Sequence, residues 1–291
     1  MGRTHAQKHG SKQEHWRPIA DAIYSISRSC GRSPWELFGD FVSMSAVAIA
    51  NRWPSPPDVR KSREDEYLRI VKKYDRDCVD KFCECLALLS RCFDADRFAD
   101  HLGGLYMSME VSNSNRGQFF TPDCISRLMA SMTMPGIEWI TKSKKRFAHI
   151  GDPACGAGGT MLAAAMAARD RGLHIETQLF ATLQDVDPLC CKMAYLQLSM
   201  ARVPAVINVG NSLTCEIVDS WVTWPTYIYG WNKSGAGYPQ RKYRIAAVAW
   251  SRDDNQAKEH DNANVVRQAT AAGIKRSFPK THPVRILRSR A

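Results

Sequence analysis

A glycine-rich stretch near the middle of the chain has the residue types and spacing of a ligand-binding turn. The sequence Asp152-Pro-Ala-Cys-Gly-Ala-Gly-Gly159 follows a short apolar run that ends at Ile150 and precedes an alanine-rich run at 160–168. A strand, a glycine turn opened by an acidic residue and then a helix commonly hold a nucleotide-like cofactor at the edge of an α/β sheet. A tight turn without any ligand would have the same local pattern, so the other motifs of the chain decide between the two interpretations.

The turn differs from two well-known phosphate-binding sequences. It is not Gly-x-Gly-x-x-Gly, so it does not predict a dinucleotide and its pyrophosphate. No Gly-Lys-Ser/Thr follows it, so it is not a nucleoside-triphosphate loop. The ligand that we expect is therefore nucleotide-like but is not anchored by its phosphates.

The elements that must position this turn fall into two parts. Apolar residues recur at helical spacing from residue 16 to 110, which predicts an all-helical subdomain. Residues 1–15 are polar and basic, and we expect them to be a mobile N-terminal segment. Residues 111–250 are predicted to form the cofactor-binding domain. Residues 251–291 form a basic polar tail that is expected to be solvated or disordered, with a DNA-contacting arm as the alternative.

Local signals predict where the first helices begin and end. Gly31 is expected to end the first helix, and Ser33 and Glu36 are spaced as a capping box at the start of the second. The residues that we expect to form the buried face of the second helix are Leu37, Phe38, Phe41, Met44 and Ala48.

The second part of the chain alternates between strand and helix patterns. The strand candidates are 147–150, 178–183, 205–209 and 220–223, and the helix candidates between them are 158–171 and 188–202. Such alternation predicts a parallel sheet with helices on both faces. One more strand could lie at 245–250.

Composition indicates the class of partner and the compartment. Lysine and arginine exceed aspartate and glutamate to give a net charge of +11, which favours nucleic acid as a partner. No apolar run approaches the ~20 residues that span a bilayer. No hydrophobic segment follows the N-terminal residues, so a signal peptide is not expected, and we expect a cytoplasmic protein without a membrane partner.

The ten cysteines do not have the spacing of a metal site. Cys83 and Cys85, with Cys78 nearby, form a Cys-x-Cys sequence, and no Cys-x-x-Cys pair occurs. On a helix, Cys83 and Cys85 would point to different faces. We therefore expect structural thiols and no metal.

Four motifs in a fixed order resemble the modification subunit of type I restriction systems. They are Gly117-Gln-Phe-Phe-Thr-Pro122, the glycine turn 152–159, Gln184-Asp-Val-Asp-Pro188 and Gly210-Asn-Ser-Leu213. Proteins of that kind are S-adenosylmethionine-dependent adenine-N6 DNA methyltransferases. The resemblance runs from about Phe98 to Leu213. It implies an α/β fold with a Rossmann-like methyltransferase sheet, preceded by an all-helical subdomain.

The resemblance implies that the first two motifs bind the methionine end of the cofactor. Phe120 would wall the pocket and Thr121 would offer its hydroxyl. Thr121-Pro122 also has the sequence of a helix cap, and the apolar face of that helix is predicted to be Ile125, Leu128 and Met129. An ordinary cap would have the same sequence without the other motifs.

The residues predicted to contact the cofactor on the glycine turn are Asp152, Pro153, Cys155, Gly156 and Gly158. Asp152, at the end of the first strand, can accept a hydrogen bond from the ammonium group of the cofactor. Charge-assisted hydrogen bonds of this type contribute roughly 1.5–3 kcal/mol.

The third and fourth motifs would bind the adenosine. An acidic residue at the end of the second strand typically binds the ribose hydroxyls, and Asp185 matches this position better than Asp187. Asp187 could instead cap the helix that begins at Pro188. Asn211 stands where relatives often carry Asp, and its side-chain oxygen can still accept from the adenine amino group.

The acceptor side of the expected reaction is not accounted for. The resemblance implies an Asn-Pro-Pro-Tyr/Phe sequence after the fourth strand, but no Asn-Pro-Pro occurs in the chain. The best register keeps Pro225 and Tyr227 as catalytic candidates and puts Trp224 in place of the Asn, and tryptophan has no acceptor. Thr223 or Asn232 could be recruited instead.

Three functions are therefore compared. The leading one is a site-specific adenine-N6 methyltransferase that acts on double-stranded DNA with S-adenosylmethionine, together with a protein partner that supplies sequence recognition. The alternative is a weak or inactive relative that binds the cofactor and DNA and modulates a restriction–modification, plasmid or phage process. A methyltransferase that acts on RNA or protein is disfavoured by the motif order.

Overall fold

A computed structural model of the protein describes residues 14–110, 120–134, 138 and 147–231. Within these residues the helices before the sheet are α1 (Arg17–Cys30), α2 (Pro34–Ala50), α3 (Pro57–Val71), α4 (Arg76–Ala95), α5 (His101–Glu110) and α6 (Asp123–Thr133). The strand predicted at 245–250 lies outside the described residues, as do the segments 1–13 and 232–291.

The helix boundaries follow from local chemistry. α1 ends at Gly31, whose φ of 69° lies in the left-handed region that glycine adopts without strain. Ser33 caps α2 by accepting the backbone N–H of Glu36 at 3.2 Å. The Glu36 side chain does not complete a capping box in this structure, since it accepts from Arg32 at 2.6 Å. Both predicted boundaries are confirmed.

The helical subdomain has a continuous apolar core. Ile19, Ile23 and Ile26 of α1 are buried, as the helical spacing predicts. On α2, the predicted buried face is confirmed at Leu37, Phe38, Phe41 and Met44, but Ala48 is exposed. The prediction for Ala48 was wrong because helical spacing gives only the direction in which a side chain points. Whether that side chain is buried depends on what packs against its side of the helix.

The second part of the chain is an α/β sheet. Its elements are β1 (Ala148–Asp152), α7 (Gly159–Asp170), α8 (Ile175–Gln178), β2 (Leu179–Asp185), α9 (Pro188–Met200), β3 (Ala205–Val209), β4 (Asp219–Val222) and α10 (Trp224–Ile228). The strand order is β1-β2-β3-β4, and β1, β2 and β3 are parallel. The strands and helices predicted between 147 and 223 are therefore all present, with boundaries shifted by at most two residues.

β4 runs antiparallel to β3, with Val209 opposite Asp219 and Val206 opposite Val222. The prediction of a wholly parallel sheet is wrong at this strand. Only the short loop 210–218 joins the two strands, whereas a parallel connection needs a crossover of about a dozen residues or more. β4 therefore turns back along β3, and its last residue lies where β3 begins.

The helices of the two crossovers share one face of the sheet. Right-handed crossovers through β1, β2 and β3 in that spatial order place α7 and α9 on the same face. The opposite face carries the half-buried side chains of His149 and Thr182, which are hydrogen bonded to each other at 2.9 Å. The expectation of helices on both faces stays a prediction.

The helical subdomain is attached to the sheet through α3. Arg63 donates to the carbonyl of Ser220 at 2.9 Å, and its guanidinium lies 4.1 Å from the ring centroid of Trp221. On the same side, Lys192 of α9 forms a salt bridge with Glu66 of α3. Within the described residues, these side-chain contacts join α3 to the edge strand β4 and to α9.

We expect Arg63→Met to weaken this attachment. Methionine fills much of the same volume but cannot donate to Ser220 or place a charge over Trp221. The free energy of unfolding in a urea titration should fall by about 1–3 kcal/mol. Arg60→Met, at an exposed position of α3, is the matched control and should change it by less than about 0.5 kcal/mol. Equal losses for both variants would contradict the assignment.

Candidate cofactor site

The carboxyl ends of the parallel strands bring three of the predicted motifs together. β1 ends at Asp152, β2 ends at Asp185, and Asn211 follows β3. Backbone bonds connect the three ends, because Cys155 N–H donates to Gln184 at 3.0 Å and Gly210 N–H donates to Asp185 at 2.8 Å. In open α/β sheets this edge is where ligands bind.

The glycine turn has a backbone that other residues would not adopt. Gly156 has a φ of 51° and Gly158 a φ of 89°, both in the left-handed region. A Cβ on Gly156 would also lie 2.9 Å from the ring of Phe120, and one on Gly158 would lie 3.2 Å from the side chain of Ala194. The turn then leads directly into α7.

Asp152 is an internal brace of this turn. Its side chain is only 2% exposed, and it accepts from the hydroxyl of Thr160 at 2.6 Å and from the backbone N–H of Ala154 at 3.1 Å. Burial raises the pKa of Asp152. The contacts of this carboxylate thus lie within the turn, and Thr160 is a participant that the motif analysis missed. A hydroxyl in the first turn of the following helix is the signal that could have identified it.

Asp185 connects the second strand to the same turn. One carboxylate oxygen accepts the N–H of Gly156 at 2.8 Å, and the other accepts the N–H of Asp187 at 2.9 Å. Asp187 caps α9 by accepting the N–H of Leu189 at 2.8 Å. The two neighbouring acids therefore have separate tasks in the structure, and Asp185 is the one beside the glycine turn.

Asn211 lies on a loop that is closed by hydrogen bonds. Its side-chain oxygen accepts the N–H of Leu213 at 2.9 Å, and its carbonyl accepts the N–H of Glu216 at 3.1 Å. Gln184 donates to the carbonyl of Glu216 at 3.1 Å. Asn211 is half-buried at the same edge as Asp185.

Phe120 is brought against the glycine turn, as the motif order implies. Its ring lies next to Gly156, and its centroid is 4.8 Å from that of Tyr106 on α5. Thr121 beside it is half-buried. Pro153 is exposed at the surface of the turn, whereas Cys155 is buried. Hydrogen bonding to the thiol of Cys191, together with burial, raises the pKa of Cys155 well above its ordinary value, so its thiol is neutral.

The helix after this motif differs from its prediction. Pro122, not Thr121, immediately precedes α6, and no side chain caps the helix. Ile125 and Leu128, predicted to be buried, are 45% and 56% exposed, while Ser126 and Ala130 are buried. α6 packs closely against α7, and small side chains suit such a contact.

The catalytic candidates Pro225 and Tyr227 lie at the opposite end of the sheet. Thr223 and Thr226 accept the N–H of Ala205, the first residue of β3, at 2.8 and 3.1 Å. Because β4 is antiparallel, the residues after it lie at the amino ends of the parallel strands, away from Asp152 and Asp185. The register that placed Pro225 and Tyr227 beside the cofactor is therefore wrong. Thr223 lies at the same end of the sheet, so it cannot replace the missing Asn either. Asn232 lies outside the described residues.

Tyr227 and Trp224 are part of the attachment of the helical subdomain. Both rings stack on Trp53, with centroid distances of 5.9 and 6.1 Å. The Tyr227 hydroxyl donates to the carbonyl of Pro54 at 3.0 Å. The aromatic sequence after this strand holds the catalytic candidates, but its partner in this fold is the loop between α2 and α3.

The described residues contain neither a metal-ligand cluster nor a membrane-spanning helix. No group of three or more His, Cys, Asp or Glu side chains there is arranged to hold a metal ion. No helix in that part of the chain is long and apolar enough to cross a membrane. All ten cysteines are free thiols.

The fold is an α/β sheet that carries a glycine turn at the carboxyl edge of its parallel strands. The chain belongs to the N-6 DNA methylase family, whose model matches residues 96–257. Proteins of this family use S-adenosylmethionine as the methyl donor. The family resemblance inferred from the four motifs is thereby confirmed. No match was found among curated proteins.

Three solved structures are similar to this chain at 15% identity. A protein provisionally assigned as a class I S-adenosylmethionine-dependent methyltransferase from Listeria monocytogenes covers 71% of the chain, with a TM-score of 0.42. A type I modification subunit from Vibrio vulnificus YJ016 covers 69% with a TM-score of 0.37, and a type I methyltransferase subunit from Streptococcus thermophilus covers 69% with 0.33. The chain spans 55%, 56% and 58% of their respective lengths.

The burial of Asp152 makes stability depend on pH in a defined direction. Because burial raises its pKa above that of the unfolded chain, its stabilising contribution is present at acidic pH and is lost as the pH rises through the folded-state pKa. Asp152→Asn removes this titration. As the pH is raised from about 4 to about 7, the unfolding free energy of the variant should therefore increase relative to that of the parent protein. Thermal or urea unfolding across this range measures it, and a pH-independent difference would contradict the assignment.

Proposed function

We propose that this chain is an S-adenosylmethionine-dependent methyltransferase that modifies the N6 amino group of adenine in DNA. The observation that carries the proposal is the meeting of three distant motifs at one turn. The ring of Phe120 and the carboxylate of Asp185 both contact Gly156, and Gly210 donates to Asp185. Membership of the N-6 DNA methylase family supports the same function.

The residues at this edge fit the chemistry of the cofactor. S-adenosylmethionine carries a cationic sulfonium and an ammonium group, and the carboxylate of Asp185 lies beside the glycine turn. Val186, directly after Asp185, is 66% exposed and offers an apolar surface for a purine ring. Glycine at 156 and 158 leaves backbone open to close approach by a ligand.

Each predicted residue then has a task. Asp185 keeps unused lone pairs on its two oxygens and would bind the ribose hydroxyls, and Asn211 would bind the adenine amino group. Phe120 and Thr121, with Pro153 and the glycines, would hold the methionine end. Asp152 and Cys155 would act from inside by keeping the turn in shape.

The reaction would be an in-line displacement in which the adenine amino nitrogen forms a bond to the methyl carbon as the sulfonium–methyl bond breaks. The sulfur would leave as a neutral thioether, and the amine would lose a proton to solvent. The cofactor supplies the activated methyl group, and the chain would hold donor and acceptor in line. A target adenine in duplex DNA would have to be extruded from the helix first. The net charge of +11 supports a DNA partner, and a protein partner would supply sequence recognition.

The second candidate is a relative that binds the cofactor and DNA but has little or no activity, and that modulates a restriction–modification, plasmid or phage process. The observation that favours it is the position of Pro225 and Tyr227 at the far end of the sheet. The absence of Asn-Pro-Pro from the sequence points the same way, because loss of such a transition-state contact lowers the rate by roughly 10²–10³.

Asp185→Ala should weaken binding of S-adenosylmethionine. The variant loses the proposed bonds to the ribose and the brace on Gly156, so we expect the Kd from calorimetry to rise by roughly 10- to 100-fold. Asp187→Ala is the matched control, since it removes a neighbouring carboxylate that caps α9. It should lower stability by about 1 kcal/mol with a smaller change in Kd. Equal Kd values for the parent protein and Asp185→Ala would refute the pocket.

Methylation of DNA in cells separates the two candidate functions. Cells that overexpress the chain should contain new N6-methyladenine, mapped at base resolution, and cells that express Asp185→Ala should lack it. If the protein binds S-adenosylmethionine but adds no methyl groups, the binding-protein function replaces the enzymatic one.

A further inference from the structure

A fully buried glutamine joins the helical subdomain to the glycine turn. Gln197 of α9 donates through Nε2 to the carboxylate of Asp100 at 2.7 Å and to the carbonyl of Ala157 at 2.8 Å. Its Oε1 accepts the backbone N–H of Leu102 at 3.0 Å. One side-chain amide therefore bonds to the first turn of α5 and to the turn that would hold the cofactor. Neither Gln197 nor Asp100 belongs to the motifs found in the sequence.

Asp100 completes this connection from the helical side. Its Oδ1 also accepts the N–H of Gly103 at 2.9 Å, which satisfies an amide that the start of α5 leaves without a helical partner. Its Oδ2 lies against Gly159, where a Cβ would come within 2.5 Å of the oxygen. The carboxyl group is thus held near the first residues of both α5 and α7. Burial raises the pKa of Asp100, and the hydrogen bonds from Gln197 and Gly103 partly oppose that rise.

The bond to Ala157 acts at the centre of the turn. Ala157 lies between Gly156 and Gly158, whose left-handed backbones give the turn its shape. Asp152 and Asp185, at the ends of β1 and β2, hold the turn from the strands. Gln197 of α9 holds the peptide group of Ala157 from the helices packed against the turn. A buried carbonyl that loses its donor is strongly disfavoured, so the peptide group would reorient without Gln197.

We propose that Gln197 and Asp100 are positioning residues, which keep the glycine turn in its binding shape and make cofactor affinity depend on the attached helical subdomain. The dependence of affinity rests on the proposed function, but the bracing of the turn does not. The two statements can therefore be tested separately on the full-length protein.

The first measurement is amide hydrogen exchange of residues 153–160 in ligand-free protein. Gln197→Met preserves the volume and removes the three hydrogen bonds, so exchange in this segment should become roughly tenfold faster, while α1 and α2 stay unchanged. Ser199→Ala is the control, because Ser199 is buried on the same helix and has no hydrogen bond to the glycine turn within the described residues. Asp100→Asn keeps an acceptor for Gly103 and Gln197. The amides of residues 153–160 should therefore exchange more slowly in Asp100→Asn than in Asp100→Ala.

The second measurement is the Kd for S-adenosylmethionine, which should rise by roughly tenfold in Gln197→Met and remain unchanged in Ser199→Ala. Faster exchange with a weaker Kd supports the proposal. If exchange is faster in Gln197→Met but the parent protein itself does not bind S-adenosylmethionine, the bracing is supported and the proposed function is refuted. Unchanged exchange in Gln197→Met, or faster exchange with an unchanged Kd, overturns the positioning role.

Discussion

Asp185 accepts three hydrogen bonds on which the rest of the edge site depends. Its carboxylate accepts the N–H groups of Gly156 and Asp187, and its carbonyl accepts the N–H of Gly210. The glycine turn after β1, the cap of α9 and the loop after β3 are thus tied to one residue at the end of β2. The parallel register makes this possible, because it brings the carboxyl ends of all three strands to the same edge.

The helical subdomain is a structural partner of the sheet and not a separate appendage. It contacts β4 through Arg63 and stacks Trp53 on Tyr227, and its Tyr106 lies next to Phe120 at the glycine turn. The α3 contact lies on the outer strand, whereas the Phe120 contact lies at the ligand edge. These contacts place residues of the helical subdomain at both ends of the sheet.

The residues expected to bind the methyl donor and the residues expected to act on the acceptor base lie at opposite ends of the sheet. The residues suited to a methyl donor converge at the carboxyl edge, while Pro225 and Tyr227 lie at the amino ends of the strands. Family membership accounts for the donor half. Neither Pro225 nor Tyr227 supplies the acceptor half, and that is why a relative of low activity stands beside the enzyme as a second proposed function.

The sequence by itself determined the local features: the glycine turn, the caps at Ser33 and Asp187, and a strand at 205–209. These could be predicted because helical periodicity, capping and left-handed glycines depend on neighbours within a few residues. Only the tertiary structure decided the direction of β4, the burial of Asp152 and the stacking of Tyr227 on Trp53. Those features depend on partners distant in the chain, because the sense of a strand is set by its connection and the burial of a side chain by whatever packs against it.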